Sequence, residues 1–386
     1  MTQYPLRQRI GREVVKTTLS AVLRWNPLTT INDGFSIVLG VPWDLRHLLS
    51  VNLRFVAQTD LARLTTLYVV FDRRRRPEMA AIAERTRREF PALPLEFICY
   101  PPAAGWLIEK VHVSTFYNSM NTTLALGRCQ TKYAVLHDFD LYPLRKDHFT
   151  SIVAAMRGST WRFSGHELTH FDGLEDQDRQ IGTWTLGIDV QWLREHYRPI
   201  DCFHRVASRR GRYFNLDPFA WLQFQTPERG LTEGFDETSF CHVKNLCSSY
   251  LRFLKRAPLS IAWRLHYLWY LESLSGMPER LAQVKQAMEL ATSPVLLVEK
   301  LPADYSGVHV TCANVMRDEL MNMERAIYGT PRDEVIDYAN DFEKFLLRFG
   351  SSDVIRDKTG KVVWAPQQIV SECQAERNAG SAHSQG

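Results

Sequence analysis

The stretch KYAVLHDFDLYPL, residues 132–144, decides how the chain is read. Tyr133–Leu136 is a β-forming apolar run, and Asp138 and Asp140 follow it immediately, before a Tyr-Pro turn. Carboxylates one residue apart at a strand end are costly to bury unless something pairs with them. Both can reach one cation if the chain turns there. Hard divalent ions such as Mg²⁺ or Mn²⁺ take carboxylate oxygens and water, and commonly bridge protein acids to substrate phosphates. The expectation is that Asp138 and Asp140 hold such a metal against a diphosphate. An Asp-x-Asp alone is common by chance, so the surrounding pattern has to carry the case.

Upstream, segments alternate. FSIVLGVP (35–42) and LTTLYVVFD (64–72) read as strands, with the helical LRHLLSVNLRFVAQT between them. Pro77 opens a second helix, PEMAAIAERTRREF, because proline suits the first helical turn. LPLEFICY (93–100) is a third strand, VSTFYNSMNTTLALG a third helix, and KYAVLHDFD a fourth strand. Strand and helix in alternation predict a parallel sheet with helical crossovers. Ligands of such sheets sit outside the carboxyl ends of the strands. Asp72 and the Asp138/Asp140 pair end their strands, so one crevice can collect them although 66 residues separate Asp72 from Asp138.

Downstream the segments shorten. TWTLGIDVQWLREH reads as strand, turn and helix, RRGRYFNLDPF as a loop, and TEGFDETSFCHVKN follows. Residues 257–349 read as helical, with Pro278 opening one helix and Thr330-Pro331 another, and the polar tail from Ser371 is expected to be disordered. The division expected is a basic amphipathic segment at 1–34, an α/β domain at 35–250, a helical extension at 251–350 and a partly disordered tail at 351–386. No internal repeat is visible.

Composition bounds the function. An apolar fraction of 45%, with 20 Phe, 10 Trp and 14 Tyr, supports a sizeable core, and a net charge of +4 is too mild to argue for nucleic acid. Seven scattered cysteines without C-x-x-C fit a reduced intracellular protein. No signal peptide or bilayer-spanning run is visible, which points to a cytoplasmic location. Leu6, Ile10, Val14, Leu19, Val22 and Leu23 follow helical spacing among Arg7, Arg9, Arg12, Lys16 and Arg24. Such a helix either packs on the main domain with a solvated basic face or lies peripherally on the inner, anionic membrane face.

The order of these motifs resembles the GT-A class of nucleotide-sugar-dependent glycosyltransferases, in particular its family-2-like group, over residues 35–250. SIVLGVP matches a first strand ending near Pro, YVVFD a second strand ending in an acid, and NSMNTTLALGRCQTKYAVLHDFD an Asn-bearing helix leading to the metal-binding D-x-D. The resemblance implies a GT-A-like, Rossmann-like sheet and transfer of a sugar from a nucleotide diphosphate sugar to a glycan, lipid-linked or small-molecule acceptor, by inversion if a base exists. It places Val41 and Pro42 beside the base, Asp72 at the base or ribose, Asn121 (or Asn118) at the Asn position, and Asp138 and Asp140 at the metal and diphosphate.

The chain departs from the pattern where the general base belongs. EGFDETSFCHVKN lacks the expected Glu-Asp, leaving Asp236 or Glu237 as the base, with Glu175-Asp176 as a further pair. A helix N-cap is the plain structural alternative for Asp236. His242 is expected as the third metal ligand, in competition with His266 and His309. Arg73–Arg76 fit an exposed turn, or a means of gathering an anionic donor. Trp161, Trp184 and Trp221 are either core residues or sugar-stacking faces. Rival readings are a catalytically degenerate binding module and a sugar-nucleotidyltransferase, although LGVPWDLRHLL lacks the Gly-rich phosphate loop of the latter.

Overall fold

The computed structural model describes residues 6–111, 114–169, 180–209, 212–236, 238–243, 246–247, 250–251, 264–291, 313–340, 355–356 and 362–364. The chain forms two compact units: one of residues 1–46, 59–141 and 146–235, the other of 47–58, 142–145 and 236–386.

The strands in chain order are β1 (Asn32–Val41), β2 (Leu64–Arg74), β3 (Leu95–Tyr100), β4 (Thr131–His137), β5 (Leu141–Pro143), β6 (Phe163–Gly165), β7 (Leu168–Thr169), β8 (Gln180–Ile181), β9 (Thr185–Asp189), β10 (Arg205–Arg209), β11 (Arg212–Leu216), β12 (Arg229–Leu231) and β13 (Phe240–His242). The helices of the first unit are α1 (Leu6–Val22), α3 (Glu78–Glu89), α4 (Pro102–Val111), α5 (Ser114–Arg128), α6 (His148–Arg157), α7 (Val190–His196) and α8 (Ala220–Gln225); α2 (Leu49–Ala57) belongs to the second.

The first unit is built on a seven-stranded sheet in the order β12-β6-β9-β4-β1-β2-β3. Strands β3, β2, β1 and β4 are mutually parallel, and β12 is parallel to β6. Only β9 runs against its neighbours β4 and β6. Centrality explains the composition of β1, whose run from Phe35 to Leu39 is buried on both faces, as a parallel strand between helical layers must be.

Register sets up the site. Leu39 stands opposite His137 on β4, and Val41 opposite Phe71 on β2. Pro42 and Asp138 follow the ends of β1 and β4, and Asp72 follows Phe71, the last β2 residue paired with β1, so the three lie at the same edge of the sheet. With β1 between their strands, Asp72 and Asp138 leave the sheet about 10 Å apart across it.

Three segments differ from the sequence reading. PAAGWLIEKV forms α4, which the reading did not foresee. RRGRYFNLDPF, read as a loop, carries the β10–β11 ladder, with Val206 opposite Asn215. TWTLGIDVQWLREH has no turn between its strand and its helix: Asp189 ends β9 and caps α7 directly, its Oδ1 accepting from the Trp192 N–H at 3.0 Å.

In the second unit, β5 pairs with β13, and the Leu144 N–H donates to Ser239 O at 3.1 Å. Helices α9 (Arg264–Ser275), α10 (Pro278–Ala291) and α11 (Ala313–Tyr328) follow, and 333–340 are also helical. The aromatic run of α9 buries Tyr267 through Leu271. Polar anchors fix this unit: His47 Nε2 lies 2.8 Å from Glu272 Oε1, and the fully buried Glu324 takes Arg332 through two nitrogens, at 2.9 and 3.0 Å. Within the described residues no helix is long and apolar enough to cross a membrane.

Candidate active site

Strand β4 ends at His137, and the chain reverses at once. The Asp138 N–H donates to Trp184 O at 2.9 Å, continuing the β4–β9 ladder by one residue, while Asp138 O accepts from the Leu141 N–H at 3.2 Å. Phe139 between the acids is buried and pins the turn from inside. The reversal is what allows carboxylates two residues apart to converge. Burial drives the Asp138 carboxyl well above the usual range, and the neighbouring carboxylates of Asp140 and Asp217 add to it.

From Asp140 the chain enters β5, which pairs with β13, the strand that carries His242. Asp138 and Asp140 each offer a carboxylate oxygen, and these lie within 4.8 Å of one another. Oxygen ligands sit about 2.0–2.1 Å from Mg²⁺, so opposite ligands of one ion stand about 4.2 Å apart. Two carboxylates suit a Mn²⁺- or Mg²⁺-type ion, so the acids present fit the metal expected from the sequence.

At the neighbouring strand end, Asp72 is 8% exposed and its Oδ1 accepts from the Trp43 N–H at 2.7 Å, with Arg73 Nη1 3.0 Å away. Burial raises its pKa to about 6, against the opposing pull of Arg73 and of the Trp43 hydrogen bond. Pro42 O accepts from the Leu45 N–H at 2.9 Å, so the chain turns sharply beyond Val41. The Trp43 ring is flanked by the Arg46 and Arg76 guanidiniums, 4.3 and 5.5 Å from its centroid. Asn121 on α5 is buried under β1: its Oδ1 accepts from the Tyr100 hydroxyl at 2.8 Å, and a Cβ on Gly40 would sit 2.6 Å from its Nδ2. Gly40 is what lets α5 approach the strand this closely.

The structure also brings an acid to Asp138 that the sequence reading passed over. Asp217 is largely buried, which raises its pKa, and it acts electrostatically on Asp138. Two residues on, Phe219 has φ 63°, the only positive φ at a non-glycine among the described residues. A non-glycine there costs about 1–3 kcal/mol. The cost is held by the buried phenyl ring and by the Phe219 N–H donating to Cys202 O at 3.0 Å. The available signal was Asn-Leu-Asp-Pro-Phe, an acid followed by the turn residue proline, but it lay inside a segment read as loop.

Asp236 is placed differently. Its Oδ1 accepts from the Thr238 N–H, the Thr238 hydroxyl and the Ser239 hydroxyl at 2.8–2.9 Å. A burial penalty is outweighed by these hydrogen bonds and by Arg145, so its pKa is lowered. No helix starts there: Phe240–His242 is a strand, so Asp236 caps a turn and not a helix. Glu237, Glu175, Asp176 and His309 lie outside the described residues, as does the side chain of His266. The Trp161 and Trp184 rings press on Gly230 and Gly182, where a Cβ would fall within 2.5 Å of them.

No known family profile matches the sequence, and no curated protein matches it. Among solved structures, the chain is similar to residues 1–349 of TarS from S. aureus at 10% identity, over 80% of this chain and 88% of that one, with a TM-score of 0.36. It is also similar to the mannosyltransferase PcManGT from Pyrobaculum calidifontis, solved with GDP-Man and Mn²⁺, at 11% identity over 89% and 95% of the two chains, with a TM-score of 0.40. The glycosyltransferase GlyE of Streptococcus pneumoniae TIGR4 matches at 9% identity over 90% and 99%, with a TM-score of 0.39. At such identities and scores these likenesses are distant, and the chemistry of the site is carried by the chain's own residues.

Proposed function

We propose that the protein transfers a sugar from a nucleotide diphosphate sugar to an acceptor hydroxyl with the help of a divalent cation. The observation that carries this reading is the convergence of Asp138 and Asp140 just beyond β4, with Asp72 at the same sheet edge on β2. Burial raises the Asp138 pKa most, and with no cation between them the neighbouring acids Asp140 and Asp217 raise it further. When bound, Mn²⁺ or Mg²⁺ offsets the repulsion among these acids and neutralises the diphosphate that leaves.

The remaining roles fall to the chain. Asp72, with Arg73 beside it, accepts hydrogen bonds from the nucleoside, and the turn after Val41 and Pro42 lines the base. Asn121, held by Tyr100 against Gly40, keeps the floor of that pocket in register. Inverting transfer needs a general base poised to take the acceptor proton. Asp217 suits that role better than Asp236: it stands beside the acid pair on a strained, pinned turn, whereas the Asp236 carboxylate is already committed to its own turn and is a weak base.

The test is release of nucleoside diphosphate from a panel of nucleotide sugars with Mn²⁺, with and without candidate acceptors. Asp140→Asn should lower release by about 100-fold or more, because one removed carboxylate leaves the leaving group poorly neutralised. Asp217→Asn should lower kcat about 100-fold at unchanged donor KM, the range usual for loss of a general base, while Asp236→Asn changes it little. Release that survives Asp140→Asn would refute the metal-assisted reading. The opposite ranking of Asp217 and Asp236 would move the base to Asp236.

A further inference from the structure

We infer that the outer face of α1 docks on an anionic lipid bilayer. The helix turns Val15, Leu19 and Leu23 into the core of the first unit. Its opposite side leaves Ile10 56% and Val14 59% exposed, and Val22, in its last turn, is 54% exposed. Helix α4 packs against α1 and exposes Trp106 by 53%, the residue type most at home at a membrane–water boundary. Four of the seven exposed large apolar side chains among the described residues thus belong to one helix and its neighbour.

Charge selects the occupant. Residues 6–24 hold five cations (Arg7, Arg9, Arg12, Lys16 and Arg24) against Glu13, a net +4 that equals the excess of the entire chain. The single acid is already engaged, Glu13 Oε1 lying 2.6 Å from Lys16 Nζ. Exposed apolar side chains on a helical segment whose sequence carries a net +4, with Glu13 its one acid, match the acyl–headgroup boundary of an anionic leaflet.

A groove of about 610 Å³ beside the exposed side chains strengthens the match. It runs between α1 and β10, with Ile10, Val14 and Val206 along its wall and Arg12, Arg205 and the Lys16-paired Glu13 in it. The Arg205 Nε–H is buried and meets no hydrogen-bond acceptor among the described residues. A lipid phosphate entering the groove would supply one. This inference stands apart from the catalytic reading, since none of these residues belongs to the candidate active site.

Co-sedimentation of the full chain with phosphatidylcholine vesicles, with and without about 30% phosphatidylserine, tests it. Each net cation near an anionic leaflet strengthens binding about five-fold, so binding should tighten by about 10²–10³-fold on the anionic vesicles and weaken steeply in about 0.5 M salt. Val14→Glu and, separately, Ile10→Ser should each weaken it about ten-fold or more while leaving thermal unfolding unchanged, because both side chains face outward. Absence of binding to anionic vesicles, or binding indifferent to both substitutions, overturns the proposal. It also falls if vesicles are ignored and Val14→Glu instead dissolves a concentration-dependent dimer, which would make this face a contact between copies.

Discussion

Asp72 should cost the protein stability at neutral pH, and replacing it by asparagine should restore that stability while weakening nucleotide binding. The carboxyl is nearly buried, and its pKa stands at about 6 instead of 3.8. Ionising it in the folded state therefore costs about 3 kcal/mol more than in the unfolded chain. The folded protein holds the proton more tightly, so this group's contribution is most favourable below pH 3.8 and is lost as pH rises through 6, above which the full cost is felt. In the Asp72→Asn variant the side-chain amide mimics the neutral acid and can still accept the Trp43 N–H. Urea unfolding of wild type and variant at about pH 4 and about pH 7.5 isolates the effect, because every other titrating group is common to both. The two proteins should nearly coincide at the acidic pH. At the higher pH the variant should be more stable by up to about 3 kcal/mol, a midpoint shift of about 1 M if m is about 3 kcal/mol/M. A variant equally or less stable than wild type there would refute the reasoning, because the ion pair with Arg73 would then more than offset the burial of Asp72.

Gly40→Ala should destabilise by about 1–3 kcal/mol, since its Cβ would meet Asn121 Nδ2 at 2.6 Å; pairing it with Asn121→Ala should recover much of the loss in a double-mutant cycle followed by denaturant unfolding. Arg194→Ala should cost about 2–4 kcal/mol by thermal or denaturant unfolding, because its guanidinium serves three backbone carbonyls, those of Asn26, Leu126 and Cys129, and removal strands them. His242→Ala should lower Mn²⁺ affinity by about ten-fold or more, read by calorimetry, with the fold intact by circular dichroism.

The parallel half of the sheet was legible because its strands are continuous apolar runs separated by amphipathic helices, a pattern that only a two-sided burial produces. FSIVLGV and YAVLH could be placed, and their acids assigned to one edge, before any coordinates. Strand direction was not legible: TLGID is as apolar as a parallel strand, and only the partners of β9 reveal that it runs the other way. The β10–β11 ladder was hidden because Arg and Gly mask the alternation that marks a hairpin. Helix α4 was hidden by Pro101-Pro102, which read as a break although a proline at the first helical position is compatible with a helix.

The candidate site was legible in the same measure. Asp138, Asp140 and Asp72 announced themselves as acids at strand ends, where a core has no use for them. Asn121 was placed by order alone, and the structure shows what its side chain does, which is to pack under Gly40. Asp217 gave no such signal. Its proximity to Asp138 depends on the path of a chain that leaves β11 and bends through Phe219, a long-range consequence no local window contains. The environment of Asp236 was equally hidden, since the three hydrogen bonds that occupy its carboxylate come from a turn that read equally well as the start of a helix.

The most direct test of the account is calorimetric titration with UDP and GDP, with and without Mn²⁺, on wild type and on Asp138→Asn/Asp140→Asn. The account predicts that a nucleoside diphosphate binds wild type with Mn²⁺ present, and that removing either the ion or the two acids weakens binding by about ten-fold or more. Binding of equal strength without the metal and in the variant would contradict it, because Asp138 and Asp140 would then not be holding a cation against the diphosphate.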